Sequence, residues 1–180
     1  MRIVSGRLKG RRIIAPNHLP VRPTTDMAKE ALFNILNNNY FIEDLKVLDL
    51  FAGIGSISFE FASRGCDDIT SVDAHHACIK FLENTAKALN TELTTIKSDA
   101  FKFLERNNQN FDLIFADPPY DMEQNKFLKL IDLVFDRDLL NEDGVLIIEH
   151  GKNTDLSDHN RLTQQRKYGS NIFSFFEKQE

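Results

Sequence analysis

The chain has 180 residues, 42% of them hydrophobic, and a net charge of −5, which suits a single domain that buries about seventy per cent of its unfolded surface. No run of roughly eighteen apolar residues occurs and no long apolar stretch follows the first arginines, so neither a membrane-spanning helix nor a signal peptide is expected. Two isolated cysteines, Cys66 and Cys78, exclude a disulfide framework and a cysteine-based zinc site; a cytoplasmic protein without a metal is the expectation.

The basic charge is concentrated at the start. Residues 1–25 hold Arg2, Arg7, Lys9, Arg11, Arg12 and Arg22 and no acid, so the net −5 less this +6 leaves −11 on the remainder. A local basic stretch on an acidic chain has the form of a nucleic-acid footprint, although charge alone fits a solvated arm equally well. Arg2 to Ser5 and Arg11 to Ala15 are short β-prone runs joined by Gly6-Arg7-Leu8-Lys9-Gly10, which predicts a hairpin with a basic tip. Arg7, Lys9, Arg11, Arg12 and Arg22 are its candidate phosphate contacts. Pro16, Pro20 and Pro23 make an extended connector. Residues 1–25 thus read as a small extension to a domain over 26–180.

Thr25 or Asp26 can cap a helix whose apolar residues Ala28, Ala31, Leu32, Ile35 and Leu36 follow helical spacing. From Lys46 the pattern alternates. Strand-like runs at 46–51, 69–73, 93–97, 111–116 and 145–149 are separated by helical patterns, clearest in Ala77, Cys78, Phe81, Leu82, Ala88 and Leu89. That alternation predicts an α/β fold with a parallel, doubly wound sheet. Leu162 to Tyr168 and Ile172 to Glu177, joined by Gly169-Ser170-Asn171, predict an antiparallel hairpin that finishes the sheet. Cys66 precedes a strand and Cys78 falls on an apolar helix face, so both read as packing residues. Neither suits a cysteine nucleophile for methylation at a pyrimidine C5.

The first strand runs into Asp49-Leu50-Phe51-Ala52-Gly53-Ile54-Gly55. Glycine permits positive φ and close backbone approach, so Phe51, Ala52, Gly53 and Gly55 can pass against a nucleoside cofactor at the carboxyl edge of the sheet. Asp73, at the next strand end and beside Ala74, can accept ribose hydroxyls. Asp99 and Ala100, after the third strand, sit where an adenine edge would lie. A dinucleotide fingerprint would need a further glycine where Ser58 stands. Asp49, ahead of the glycines, suits a cofactor carrying a free ammonium and carboxylate, as S-adenosylmethionine does. His75 and His76 read as exposed residues at a helix start.

Asp117-Pro118-Pro119-Tyr120 directly follows the fourth strand. An exocyclic amine on a nucleobase is a poor nucleophile, because its lone pair is delocalised into the ring. A carboxylate and a backbone carbonyl that accept its N–H bonds draw the nitrogen toward pyramidal geometry. Proline fixes φ and carries no N–H, so Pro118 and Pro119 stiffen the loop and offer carbonyls without a competing donor. Tyr120 offers a face on which an extruded base can stack.

The chain resembles, over essentially its whole length, the RsmD family of bacterial 16S rRNA (guanine-N2) methyltransferases. The likeness rests on Met1-Arg2-Ile3-Val4-Ser5-Gly6 with Lys9-Gly10-Arg11-Arg12, on Arg22-Pro23-Thr24-Thr25-Asp26 leading into Lys29-Glu30-Ala31-Leu32-Phe33-Asn34-Ile35-Leu36, on Asp49-Leu50-Phe51-Ala52-Gly53, and on the proline tetrad. It implies a seven-stranded class I methyltransferase fold and methyl transfer from S-adenosylmethionine to N2 of one guanine, by a monomer acting on 16S rRNA in an assembling small subunit. Asp73 departs from the glutamate common in the family. A DNA adenine-N6 methyltransferase and an inactive RNA-binding protein of the same fold are the alternatives; no target-recognition insertion favours the first, and intact Asp49, Gly53, Gly55, Asp117 and Tyr120 argue against the second.

Overall fold

A computed structural model describes residues 1–21 and 24–179. The elements, in chain order, are α1 (Asp26–Asn39), β1 (Lys46–Leu50), α2 (Ser56–Ser63), β2 (Asp68–Asp73), α3 (His76–Leu89), β3 (Thr94–Lys97), α4 (Ala100–Arg106), β4 (Phe111–Ala116), α5 (Gln124–Asp136), β5 (Leu140–Gly151), β6 (Leu162–Tyr168) and β7 (Asn171–Glu177). Seven strands form one sheet in the order β3-β2-β1-β4-β5-β7-β6. β1 to β5 are parallel, while β7 runs antiparallel to both β5 and β6. The order reverses direction between β1 and β4, which are paired with Leu50 opposite Ala116. Open α/β sheets place their ligand crevice at such a point.

Period-two alternation along the central strands feeds two cores. Val47, Leu113, Phe115 and Ile147 face α1 and α2, whereas Leu48, Leu50, Ile114 and Ile148 face α4 and α5. Both faces of the sheet are covered, which explains the near-continuous apolar runs. Thr25 caps α1, its hydroxyl accepting from the Ala28 amide at 3.2 Å. Cys66 and Cys78 are both buried.

The N-terminal segment differs from the expected hairpin in one respect. Its two runs meet in a single antiparallel bridge, Arg2 to Arg12, and not in two strands. Much of its backbone bonding goes elsewhere. The amides of Val4 and Ser5 donate to the Glu60 carboxylate, each at 3.1 Å, and those of Arg7 and Leu8 donate to the carbonyl and hydroxyl of Ser63 at 2.7 and 3.0 Å. Ile3, Leu8 and Ile13 are buried against Phe59 of α2 and Ile79 and Leu82 of α3. Gly6, at φ +81°, lies so close to α2 that a Cβ would come 1.9 Å from the Ser63 carbonyl oxygen. The arm is therefore built onto the domain.

β5 begins at Leu140, five residues ahead of its apolar run. Asn141-Glu142-Asp143-Gly144 carries no apolar signal, and the register with β4 shifts between Phe111 and Leu113. Among the described residues no helix is long and apolar enough to cross a membrane.

Candidate active site

A cavity of about 720 Å³ opens at the carboxyl ends of β1, β2, β3 and β4. Twelve of the residues singled out from the sequence line it, namely Asp49, Phe51, Ala52, Gly53, Asp73, Ala74, Asp99, Ala100, Asp117, Pro118, Pro119 and Tyr120. Gly55 does not. It stands behind the loop at φ +80°, where a Cβ would meet Leu82 at 2.5 Å and the Phe59 ring at 2.7 Å. The glycine there lets α2 and α3 close beneath the loop, and only Gly53 faces the space a ligand would take. Phe51 holds φ at +59°, a conformation that costs a non-glycine residue about 1–3 kcal/mol and that clusters where ligands are clamped.

Asp73 does more than its place at a strand end announces. One carboxylate oxygen accepts the Gly53 amide at 2.8 Å, and the other accepts the His75 amide at 2.8 Å and contacts His75 Nδ1 at 3.1 Å. It thereby fixes the glycine loop, and the remaining lone pairs stay available to hydroxyl donors. His75 and His76 are both exposed, and His75 edges the cavity. Asp99 caps α4, accepting the Lys102 amide at 3.0 Å. Asp73, His75 and Cys78 bring an oxygen, a nitrogen and a sulfur within 4.8 Å of one another. Burial, aided by the nearby Asp73 charge, pushes the Cys78 thiol up to about 11.

Asp49 is buried beneath the loop. Its carboxylate accepts the Ser58 amide at 3.2 Å and the Ser58 hydroxyl at 2.5 Å, and that hydroxyl also contacts Ser71 Oγ at 2.7 Å. Burial raises its pKa from 3.8 to about 7, against the lowering effect of the Ser58 bonds, with the like charge of Asp73 adding to the rise. At the N-terminus of α2, on the same cavity wall, Ser56 Oγ is buried and finds no hydrogen-bond partner among the described residues. A carboxylate that wants a cation and an orphaned hydroxyl at a helix N-terminus suit a zwitterionic amino-acid moiety. With Asp73 and the glycine loop alongside, these residues fit S-adenosylmethionine.

Several lining residues were not singled out from the sequence as site residues. Pro20, Val21 and Thr24 bring the N-terminal connector over the rim, while Phe101, Met122, Lys126 and Lys129 close the far side. Val21 is the nearest neighbour of Gly53, 3.1 Å from where its Cβ would be. The sequence marked that region as a proline connector and, from Arg22 onward, through the resemblance.

The described basic residues of the arm do not line the cavity. Arg7, Lys9, Arg11 and Arg12 are exposed, and the Arg7 guanidinium donates to the Asn90 carbonyl at 3.0 Å. Arg12 borders a shallower recess that meets the cavity at Val21 and Ile54. Arg22 lies outside the described residues.

The strand order, the antiparallel edge pair and the glycine loop facing a proline tetrad define a class I methyltransferase fold. The family model described as Conserved hypothetical protein 95 matches residues 1–177, and the chain belongs to that family, the RsmD-like methyltransferases. The Bacillus subtilis protein YlbH, provisionally named an rRNA methyltransferase, is 32% identical over 188 residues, 99% of each chain. Ribosomal RNA small subunit methyltransferase D of Haemophilus influenzae is 29% identical over 97% of this chain and 91% of its own. The solved structure of Escherichia coli yhhF, a provisional methyltransferase, superposes with a TM-score of 0.85 at 27% identity, covering 99% of both chains.

Proposed function

We propose that this chain transfers a methyl group from S-adenosylmethionine to the exocyclic N2 of one guanine in small-subunit ribosomal RNA, acting on a partly assembled subunit as a monomer. The observation that carries the reading is the single cavity shared by the glycine loop and the Asp-Pro-Pro-Tyr tetrad. The relatives' names, which assign them to small-subunit rRNA, support the substrate. The bound cofactor supplies an electrophilic methyl on a sulfonium, which needs no metal. Asp49, Ser56, Gly53 and Asp73 hold its amino-acid and ribose parts, and Asp99 and Ala100 border its base. Asp117 and the Pro118 carbonyl accept the N–H bonds of the target amine, and Tyr120 stacks on the extruded base. The amine proton leaves to Asp117 or to water. Positioning is the main source of rate. Loop and tetrad leave adjacent strands at the same level, with Leu50 paired to Ala116, so the two segments start about one strand spacing apart, roughly 4.8 Å.

Tritium transfer from S-adenosylmethionine tests the reading, with ribosomal RNA, assembling small subunits and duplex DNA as acceptors, followed by nucleoside mapping. Label in N2-methylguanosine from RNA or subunits is expected; label in DNA adenine, or none anywhere, overturns it.

The basic arm supplies phosphate contacts. Arg11→Ala with Arg12→Ala is expected to weaken RNA binding and to reduce the slope of log affinity against log salt by up to about 0.7–0.9 per lost contact. A salt titration by filter binding gives that slope, and an unaltered one removes the arm from the interface.

Asp49 links binding to pH. With its pKa at about 7 in the free protein, an arriving ammonium favours the carboxylate, so binding releases protons near neutrality. Affinity for S-adenosylmethionine should fall by up to about tenfold per pH unit below about 7. Calorimetry in buffers of different ionisation enthalpy measures the release, and Asp49→Asn should abolish it. The same group acts on stability with the opposite sense: the folded state binds the proton more tightly, so the ligand-free protein gains stability from this residue as pH falls from about 7 toward 3.8.

A further inference from the structure

The half-exposed ring of Tyr120 is held from two sides by groups that lie outside the tetrad. Below it is Gly151, at the end of β5, where a Cβ would stand 3.3 and 3.4 Å from the ring carbons Cδ1 and Cε1. Any larger residue there would lift the ring. At its tip the Tyr120 hydroxyl meets Asn171 Oδ1 at 3.3 Å, at the first residue of β7. Asn171 is itself oriented by Glu149: its Nδ2 donates to Glu149 Oε1 at 2.6 Å, and both side chains are buried. A carboxylate accepts and does not donate, so it must face the amide nitrogen, which leaves the amide oxygen toward Tyr120 and makes the phenol the donor. The other oxygen of Glu149 accepts the Thr24 hydroxyl at 2.8 Å, and Thr24 lines the cavity from the N-terminal connector. One buried carboxylate thus ties the connector and the C-terminal hairpin to the loop after β4.

We propose that Asn171 is a positioning residue for base binding: oriented by Glu149, and with Gly151 as the floor, it fixes the Tyr120 ring in one orientation before the target arrives. The inference rests on the reading of Tyr120 as the surface on which the base stacks. An aromatic platform half open to water would otherwise lose rotational freedom on binding, and holding it in advance removes that loss. It also gives Asn171, at the start of β7, a task beside a cavity whose walls come from other elements.

A double-mutant cycle of Asn171→Ala and Tyr120→Phe tests this, since each removes the same hydrogen bond from a different side. Each single variant is expected to lower kcat/KM for the RNA by about 3- to 10-fold, chiefly through KM. S-adenosylmethionine binding should be retained, and the double variant should be no worse than either single one. Factors that multiply, or an Asn171→Ala variant with wild-type kcat/KM, overturn the proposal. A second measurement needs no substrate. The chain has 3 tyrosines, so carbon-13 labelling of their rings resolves Tyr120, assigned through Tyr120→Phe. In Asn171→Ala its ring signals should collapse toward motional averaging; unchanged signals sink the proposal. If the wild-type chain methylated no RNA while the signals behaved as expected, the assigned reaction would fall and the arrangement around Tyr120 would stand.

Discussion

Asp117→Ala should turn over at least about a hundredfold to a thousandfold more slowly than the wild-type chain while binding S-adenosylmethionine with unchanged affinity. The magnitude follows from losing one oriented acceptor and one proton site at the reacting nitrogen, effects worth about 10²–10⁴ in rate. The separation from binding follows from the fold. Asp117 leaves β4, whereas the residues fitted to the cofactor leave β1, β2 and β3 or open α2. Asp117→Asn keeps the shape and one acceptor oxygen, so an intermediate rate is expected. Single-turnover label transfer measures the chemical step and calorimetry the binding. A normal rate in the alanine variant would remove the tetrad from the reaction.

Glu60→Ala should lower the free energy of unfolding by about 3–5 kcal/mol, the cost of removing one member of a buried ion pair. Lys29 is wholly buried, with Nζ 3.7 Å from Glu60 and 3.9 Å from the partly exposed Asp26. Burial already depresses the Lys29 ammonium, and Glu60 is the first-ranked charge opposing that. Without it, the buried ammonium keeps, among the described residues, only the Arg2 carbonyl as a hydrogen-bond acceptor and the more distant Asp26 as a counter-charge. Glu60 also receives Val4, Ser5 and Arg64, so the arm loses its anchor in the same step. For a chain of this size a thermal melt should shift by roughly 10 °C. Limited trypsin digestion should cut sooner at Arg7, Lys9, Arg11 and Arg12. A melt within about 2 °C of wild type, with unchanged digestion, would show that the cluster holds neither the core nor the arm.

The fold was legible in the sequence wherever burial imposes a period. Strands covered on both faces read as unbroken apolar runs, and α1 and α3 showed one apolar stripe each. The candidate site was legible where a backbone needs an unusual residue, as at Gly53 and the paired prolines, which line one cavity. What stayed hidden depends on contacts between distant segments. Glu60 sits in α2 with no pattern to distinguish it from a solvated acid, yet it fastens residues 55 and 56 positions away. Asn171 reads as a turn residue until β7 brings it to Tyr120. Gly55 carries the same letter as Gly53, and only the packing of Leu82 and Phe59 separates their tasks. The arm's apolar residues, Ile3, Leu8 and Ile13, are too sparse to announce that they enter the core, whereas its arginines are conspicuous.

The pairing of Leu50 with Ala116 couples the lengths of two stretches that are far apart in the chain. Inserting or deleting one residue within 47–50 or 113–116 would swap which side chains enter each core and would bring one loop out a step early or late. Length changes are therefore confined to places outside this phase lock, such as the exposed turn at 107–110 or the segment just past Tyr120. Length changes at those places leave the offset between the glycine loop and the tetrad unaltered.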